Sequence, residues 1–384
     1  MKLFFYKSFF LFFISYTLWC FTSHAQDSSR LRVSLLTCTP GDELYSLFGH
    51  TALRITDSSV SSDVVYNYGT FNFEDKNFYL KFVRGKLNYF MSAENFEDFK
   101  YGYQMTNRGI TEQLLQLSAD EKKALQLFLI ENLKEENKYY QYDFFFNNCT
   151  TKIRDILLKM KIPVLQLPAV MPTDTRFRQA IHAYLDRGHQ PWSKLGIDIL
   201  LGARTDRIMS ASDQQFLPDN LMEALDSSNN KIIVSSFNLY PIPQKVLPTL
   251  QFTPLIFFFA LLLFFLILQV SARYKWPVLM SGLDGLLFFC TGMLGIVLIF
   301  MWGATDHSMT KDNYNLLWAT PSHVLVSFFI KSKKKWVKKY WLLTIIAGVL
   351  LLLSWPLLPQ QMNISLAAFI ILLIFRSTVR YINI

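Results

Sequence analysis

Hydrophobic and polar positions divide the chain into three stretches. Residues 9–21 form a short apolar stretch behind Lys2 and Lys7. Residues 26–250 mix apolar and polar positions with a changing period. From Pro254 onward, long apolar runs dominate. In the middle stretch, residues 32–36 predict a strand. Residues 50–55 alternate and predict a second, with 64–68 as its partner across a serine-rich turn. Ser118 and Glu121 make a capping box ahead of a helical pattern over 122–133, with Leu125, Phe128 and Leu129 on one face. Ile153, Ile156, Leu157 and Met160 predict a helix over 150–160. Further helices are predicted over 177–185 and over 218–225, the last with proline in its first turn. The stretch is long enough to bury its own core and reads as an α+β domain. Pro241, Pro243, Pro248 and Pro254 mark a stiff exit from it.

The last third holds five apolar segments, 254–272, 277–302, 316–330, 340–358 and 362–381. They predict an all-α membrane bundle of about five spans. Segment 316–330 is the shortest and contains Pro321 and His323. Charge decides the direction of insertion. Residues 26–250 carry 25 basic and 26 acidic side chains, and residues 251–384 carry 11 and 3. The net charge of +9 therefore sits beside apolar segments, where it sets topology, and not on a folded surface suited to nucleic acid. Six lysines fall between 331 and 339, Arg273 and Lys275 lie after the first segment, and Arg376 and Arg380 lie near the end. If the middle domain is exported, five spans put all three basic sites inside. The loop 303–315 then lies on the same side as the domain. Residues 1–25 predict a cleaved signal peptide, with Ser23, His24 and Ala25 at the cleavage site; an uncleaved anchor is the alternative. Trp19 before Cys20 excludes a lipoprotein box. The expected division is 1–25, an exported domain 26–250 and a membrane domain 251–384.

With 51% hydrophobic residues and 35 phenylalanines in 384 positions, disorder, collagen and coiled coil are excluded. Four cysteines are too few for a disulfide scaffold. No glycine-rich phosphate loop, CxxC pair or HExxH helix occurs, so no metal and no cofactor is expected. Nucleophiles remain. Cys38 ends a strand. Cys149 stands where an aromatic run meets a helix, and the free N–H groups and dipole of a helix start favour a thiolate. His50, behind Gly49 and at the head of a strand, is the candidate base. Two other readings stand beside this one: a Cys38–Cys149 disulfide, usual in an oxidising compartment, and a purely structural His50. Cys290 reads as packing within a span, and His182 and His189 as surface residues.

Four strings then carry a resemblance: LLTCTPGDELYSLFGHTALRI (35–55), VYNYGTFNF (65–73), FVRGKLNYF (82–90) and YDFFFNNCTTKIRDIL (142–157). Together with PWSKLGIDILLG (191–202), FLPDNLMEAL (216–225) and ATDHSMTKDNYNLLW (304–318), they resemble the Lnb-type lipoprotein N-acyltransferases of Bacteroidetes. The order of histidine before cysteine is also similar to permuted papain-like (NlpC-like) thiol enzymes. The resemblance implies His50 as base and Cys149 as nucleophile. It implies a membrane phospholipid as acyl donor and the N-terminal cysteine amine of a diacylated lipoprotein as acceptor. It also implies the inner (cytoplasmic) membrane, with the N-terminal domain in the periplasm. Asn67, Tyr66 and Asn148 are candidates for orienting or oxyanion groups. Arg84, Asp306 and His307 are candidates for substrate binding, against ordinary solvated roles. Phe144, Phe145 and Phe146 read either as an acyl path or as a core strand. Asp284, an acid within a span, reads as functional or as hydrated at the inner interface. A papain-like envelope peptidase or amidase, or a non-enzymatic membrane assembly protein, are the rival functions.

Overall fold

A computed structural model describes residues 30–161, 165–229, 231–241, 252–275 and 277–383. The expected signal peptide and most of the proline-rich exit lie outside these residues. The first domain is built on one antiparallel sheet of seven strands: β1 (Leu31–Cys38), β2 (His50–Asp57), β3 (Ser62–Thr70), β4 (Asn88–Asn95), β5 (Ile110–Leu115), β6 (Tyr139–Gln141) and β7 (Ile233–Tyr240). Their spatial order is β6-β4-β3-β2-β1-β5-β7. Helices interrupt the strands: α1 (Phe78–Val83), α2 (Phe96–Met105), α3 (Ala119–Asn132) and α4 (Cys149–Met160). After them come α5 (Phe177–Arg187), α6 (Pro191–Leu200), α7 (Ala211–Gln214) and α8 (Pro218–Asp226).

The period of two along each strand sorts the two faces. Leu35, Leu53, Ile55 and Tyr66 face α3, α4 and α8 and form the main core with Leu125, Leu129, Ile153, Ile156, Leu157 and Leu221. Leu36, Cys38, Ala52 and Val65 face the other way and are covered by Phe96 and Phe99 of α2. Where pattern was strong, prediction and structure agree. The Ser118 capping box forms as read, with its hydroxyl taking the Glu121 N–H, a device worth about 1 kcal/mol. Strands β4 to β7 and helices α1, α2, α6 and α7 are not among the predicted elements, because their burial is partial and their periodic stretches short.

The second part is helical: α9 (Pro254–Lys275), α10 (Pro277–Gly303), α11 (Ser322–Ser327), α12 (Lys335–Ser354) and α13 (Ser365–Ile382). Among the described residues, three helices are long and apolar enough to cross a membrane: Val278–Gly303, Lys335–Leu357 and Ser365–Ile382. The expected helix over 316–330 does not form as one piece. A 3-10 turn (Tyr314–Leu317) and the six-residue α11 replace it, because Pro321 cannot continue a helix through its own nitrogen. The segment lies antiparallel against α10. Side chains at Gly295 and Gly292 would overlap the backbone of Ala319 and Val324, so those glycines admit the close approach. Asp284, the acid within a span, is fully buried and clamped between helices. It accepts from Arg376 Nε at 2.6 Å and Nη2 at 2.9 Å, and also from Arg380. The third Arg376 nitrogen, Nη1, donates to Gln269 of α9 at 2.6 Å. The Asp284 carboxylate thus joins α10 to α13, and Arg376 ties both to α9, so it is neither free nor simply hydrated. Cys290 lies on an exposed face of α10 and does not pack as expected.

The two parts are joined by polar side chains at the end of α6. Its last carbonyls, which a helix leaves unsatisfied, accept from Asn313 and Asn315 of the loop after α10 and Gln360 of the loop before α13. Asp198, on α6, binds Asn363, His182 and the wholly buried Arg178, whose other face holds Asp206. His182 is therefore engaged with this network and not a free surface residue.

Candidate active site

Cys149 is the first residue of α4, and the local sequence dictates how the helix begins. Asn148 is its N-cap: the side-chain oxygen accepts the Thr151 N–H at 2.8 Å, and the Thr151 hydroxyl accepts the Asn148 N–H at 2.8 Å. The Asn148 amide nitrogen is also used, donating to the Phe144 and Phe216 carbonyls at 2.8 Å each. With every group committed, the Asn148 side chain is a brace for the helix start and not a free oxyanion donor. The N–H groups of Cys149 and Thr150 are those that α4 leaves without an intrahelical acceptor.

His50 opens β2, directly opposite Cys38 of β1. Gly49 before it has φ of +78°, and a Cβ there would lie 2.6 Å from the Cys38 carbonyl oxygen, so only glycine makes this entry. The imidazole Nε2 donates to Asn67 Oδ1 at 3.0 Å. The Asn67 amide cannot be turned round, because its nitrogen donates to Glu94 at 2.9 Å. That chain, Glu94–Asn67–His50, fixes Nε2 as a donor and leaves Nδ1 for the thiol. Cys149 and His50 interact through a hydrogen bond and through charge. Burial pushes the Cys149 thiol up, but the His50 charge and hydrogen bond, the Thr51 N–H and the Thr150 hydroxyl outweigh it. The result is a pKa brought down from 9.0 to about 7. Burial pulls His50 down, but the Cys149 thiolate and the Asn67 carbonyl hold it above its ordinary value of 6.5. The other buried cysteine shows what burial does without such a partner: Cys38 is pushed up to about 12, despite a hydrogen bond to Tyr103. Cys38 and Cys149 are both free, so no disulfide joins them.

A cleft of about 360 Å³ opens beside this group, walled by His50, Asn67, Gly69, Glu94, Tyr103 and Arg108 among others, with Cys149 bordering it behind Gly69. Strand β3 is irregular between Asn67 and Thr70, and Gly69 has φ of +91°. A side chain on Gly69 would stand 3.6 Å from the Cys149 Cβ. The bulge therefore keeps the space above the thiol open. Gly69→Val is expected to close it. Alkylation of Cys149 by iodoacetamide should slow sharply, and thermal unfolding should show a loss of about 1–3 kcal/mol from the strained backbone.

Of the predicted site residues, His50, Cys149 and Asn67 come together. Tyr66 does not. As the neighbour of Asn67 on a strand it must face the opposite side, and it lies in the main core. Arg84, Asp306 and His307 lie outside the described walls of the cleft. Arg84 is exposed at the C-terminus of α1, not on a strand, and its carbonyl accepts the Asp306 N–H at 3.0 Å. His307 donates to the Phe82 carbonyl at 3.1 Å, and Ser308 donates to Asp143 at 3.1 Å. The loop after α10 thus latches onto α1 and onto the turn that presents Cys149. Phe144–Phe146 form neither a strand nor a cleft wall. They belong to a turn closed by the Asp143–Asn147 bridge, with Asp143 accepting the Phe145 and Phe146 N–H groups. Phe144 and Phe145 pack against Phe216, beside Phe48 and Phe177. Sequence reading missed Glu94 and Arg108. Nothing local marks them; they reach the cleft only because β4 and the turn before β5 flank the strands that carry Asn67 and Cys38.

A sheet domain with a half-buried cysteine–histidine pair, latched to helices long and apolar enough to cross a membrane, defines a two-part membrane protein. Residues 21–179 match the Lnb N-terminal periplasmic domain, and residues 245–384 match the Lnb transmembrane domain. The chain belongs to the Lnb family. His50, Asn67, Glu94, Arg108 and Cys149 all fall within the first match. No curated protein and no solved structure matches the chain.

Proposed function

We propose that the protein is a thiol-dependent lipoprotein N-acyltransferase of permuted papain-like type, with Cys149 as nucleophile and His50 as base. The observation that carries the reading is the thiol at a helix start, lowered to about 7 by an imidazole whose other nitrogen is held by Asn67. The Cys149 sulfur attacks an ester carbonyl of a phospholipid, and His50 holds the thiol proton. The tetrahedral oxyanion faces the free N–H groups of the α4 start. The ester C–O bond breaks, His50 returns its proton to the departing lysophospholipid alcohol, and a thioester remains. The amine of the lipoprotein's N-terminal cysteine then attacks. His50 takes the amine proton and gives it to the leaving sulfur. A lipid substrate is supported by the surface beside the cleft. Thr70 of the cleft wall leads into an aromatic cluster of Phe71, Phe73 and Phe78, which continues to exposed Tyr79 and Phe82 on α1. This patch is latched to the outer end of α10. A wall peptidase or amidase would share the dyad but has no use for the patch or the apolar helices.

Mass spectrometry of lipoprotein N-termini from cells with and without the protein tests the reading. An acyl chain on the amine is expected only with the protein present, and its presence in both samples would reject the assignment. The same reading takes residues 1–25 as a signal peptide, 26–250 as the periplasmic domain and 251–384 as the membrane domain. It has five crossings: segment 316–330 runs back along α10 and carries the lysines of 331–339 to the Asp284 end. Cysteines placed at 331–339 should resist impermeant maleimides in intact cells; labelling from outside would reject five crossings.

A further inference from the structure

One cation in the cleft is left unused by this chemistry. Arg108 is held from three sides. Its Nε donates to the Thr39 carbonyl at 2.8 Å. Its guanidinium lies over the Tyr103 ring, 4.5 Å from the centroid. Its stem is packed so closely that a Cβ on Gly41 would sit 3.2 Å from Arg108 Cδ. The neighbouring backbone is pinned as well, by Gly109 N–H to the Thr39 hydroxyl at 2.8 Å and Thr39 N–H to the Gly109 carbonyl at 3.0 Å. With its plane fixed, Nη2 is buried and has no hydrogen-bond partner. No carboxylate pairs with Arg108 among the described residues, and Glu94, an acid in the same cleft, is bound to Asn67. A guanidinium stays charged at every pH at which the thiol works, and its fork matches the oxygens of a phosphate. The half-buried side chain also lines the cleft, so an anion there meets the part of the guanidinium that the cleft exposes and balances a charge that no carboxylate pairs.

We propose that Arg108 binds the phosphodiester of the donor lipid. The use assigned to this site rests on the acyl-transfer reading above. In a glycerophospholipid the phosphate and the scissile ester are separated only by the glycerol carbons, which fits a cation in the wall of a small cleft and a nucleophile next to its His50 and Gly69 walls. The proposal also answers a problem of selectivity. A diacylated lipoprotein carries glyceryl esters of the same chemistry as those of the donor, and both lie at the same membrane surface. The phosphate is what the donor has and the acceptor's lipid lacks. A fixed guanidinium in the cleft that His50 walls therefore directs Cys149 to the donor's ester and spares the acceptor's.

The test uses the full chain in detergent and reads protection of Cys149 from iodoacetamide by peptide mass. The competitors are dihexanoyl-phosphatidylcholine, dihexanoylglycerol and glycerol 3-phosphate. The phosphate-bearing lipid should protect at about tenfold lower concentration than the phosphate-free one, the scale of one charge-assisted hydrogen bond. Arg108→Gln should erase that difference and leave protection by dihexanoylglycerol unchanged; Arg108→Lys, which keeps the charge, should keep part of it. Equal protection by both lipids in the unmodified protein, or loss of protection by both in Arg108→Gln, overturns the proposal. Glycerol 3-phosphate protecting as well as the lipid would mean a site for a soluble phosphate, and would overturn it too. Thioester formation on Cys149 is followed in the same samples. Discrimination between the lipids without any thioester would keep the phosphate site and reject the acyltransferase reading.

Discussion

Cys149→Ser is expected to abolish acyl transfer, lowering the rate by roughly 10³-fold or more, the scale of losing a covalent nucleophile. The fold should survive, because the Asn148–Thr151 capping box that starts α4 does not involve the sulfur. A serine hydroxyl has a pKa far above that of a thiol. One imidazole that brings a thiol to about 7 cannot bring a hydroxyl within reach of neutral pH. Cys38→Ser is expected to keep most of the activity. Cys38 is completely buried opposite His50, its thiol is pushed up to about 12, and its partner Tyr103 can hydrogen-bond a serine as well. A hydroxylamine-labile acyl group on Cys149, absent from Cys149→Ser, is the direct sign in mass spectra of the intact protein. The opposite pattern, with Cys38→Ser dead and Cys149→Ser active, would mean that the nucleophile is misassigned.

The second large effect is on the titration of the thiol. In the unmodified protein the rate of Cys149 alkylation should rise as pH increases through about 7, as the thiolate forms. The imidazolium that stabilises it is lost as pH rises through the elevated His50 value. The two groups titrate as one coupled pair, so the ion pair is most populated between those two steps. Removing the ring in His50→Ala leaves burial as the dominant influence, and burial raises a thiol. The midpoint should therefore move from about 7 to above the ordinary 9.0. A move from about 7 to 9.0 cuts the thiolate at pH 7 from about half to about one per cent, so the alkylation rate at pH 7 should fall by about fiftyfold or more. Transfer should fall further, by roughly 10²–10⁴-fold, because the proton acceptor is gone as well. An alkylation profile unchanged in His50→Ala would separate the two residues and remove the basis for the dyad.

The hydrophobic pattern and a few chemically distinctive residues were enough to place much of this molecule. Periodicity located β1, β2, β3, α3 and α4, because each buries one clear face and the capping residues that start the helices act within one turn. The lysines of 331–339 and the apolar runs gave the membrane region. The short boxes around His50 and Cys149 singled out both groups, since a glycine before a strand and an asparagine before a helix each have local causes. What the sequence could not decide depends on register and on distant packing. Tyr66 and Asn67 are adjacent in the chain, and only the pairing of β3 with β2 and β4 settled which of them meets His50. Glu94 and Arg108 carry no local signal and enter the cleft because strand β4 and the turn before β5 flank the site. Asp306 and His307 looked like substrate contacts from their position in an outer loop, yet the structure uses the backbone N–H of one and the imidazole of the other to tie that loop to α1. Local sequence determines where a helix or strand begins, since the forces involved act within a few residues. Which charges and amides share one cleft is decided by strand order and helix packing, which bring together residues as far apart as 50 and 149.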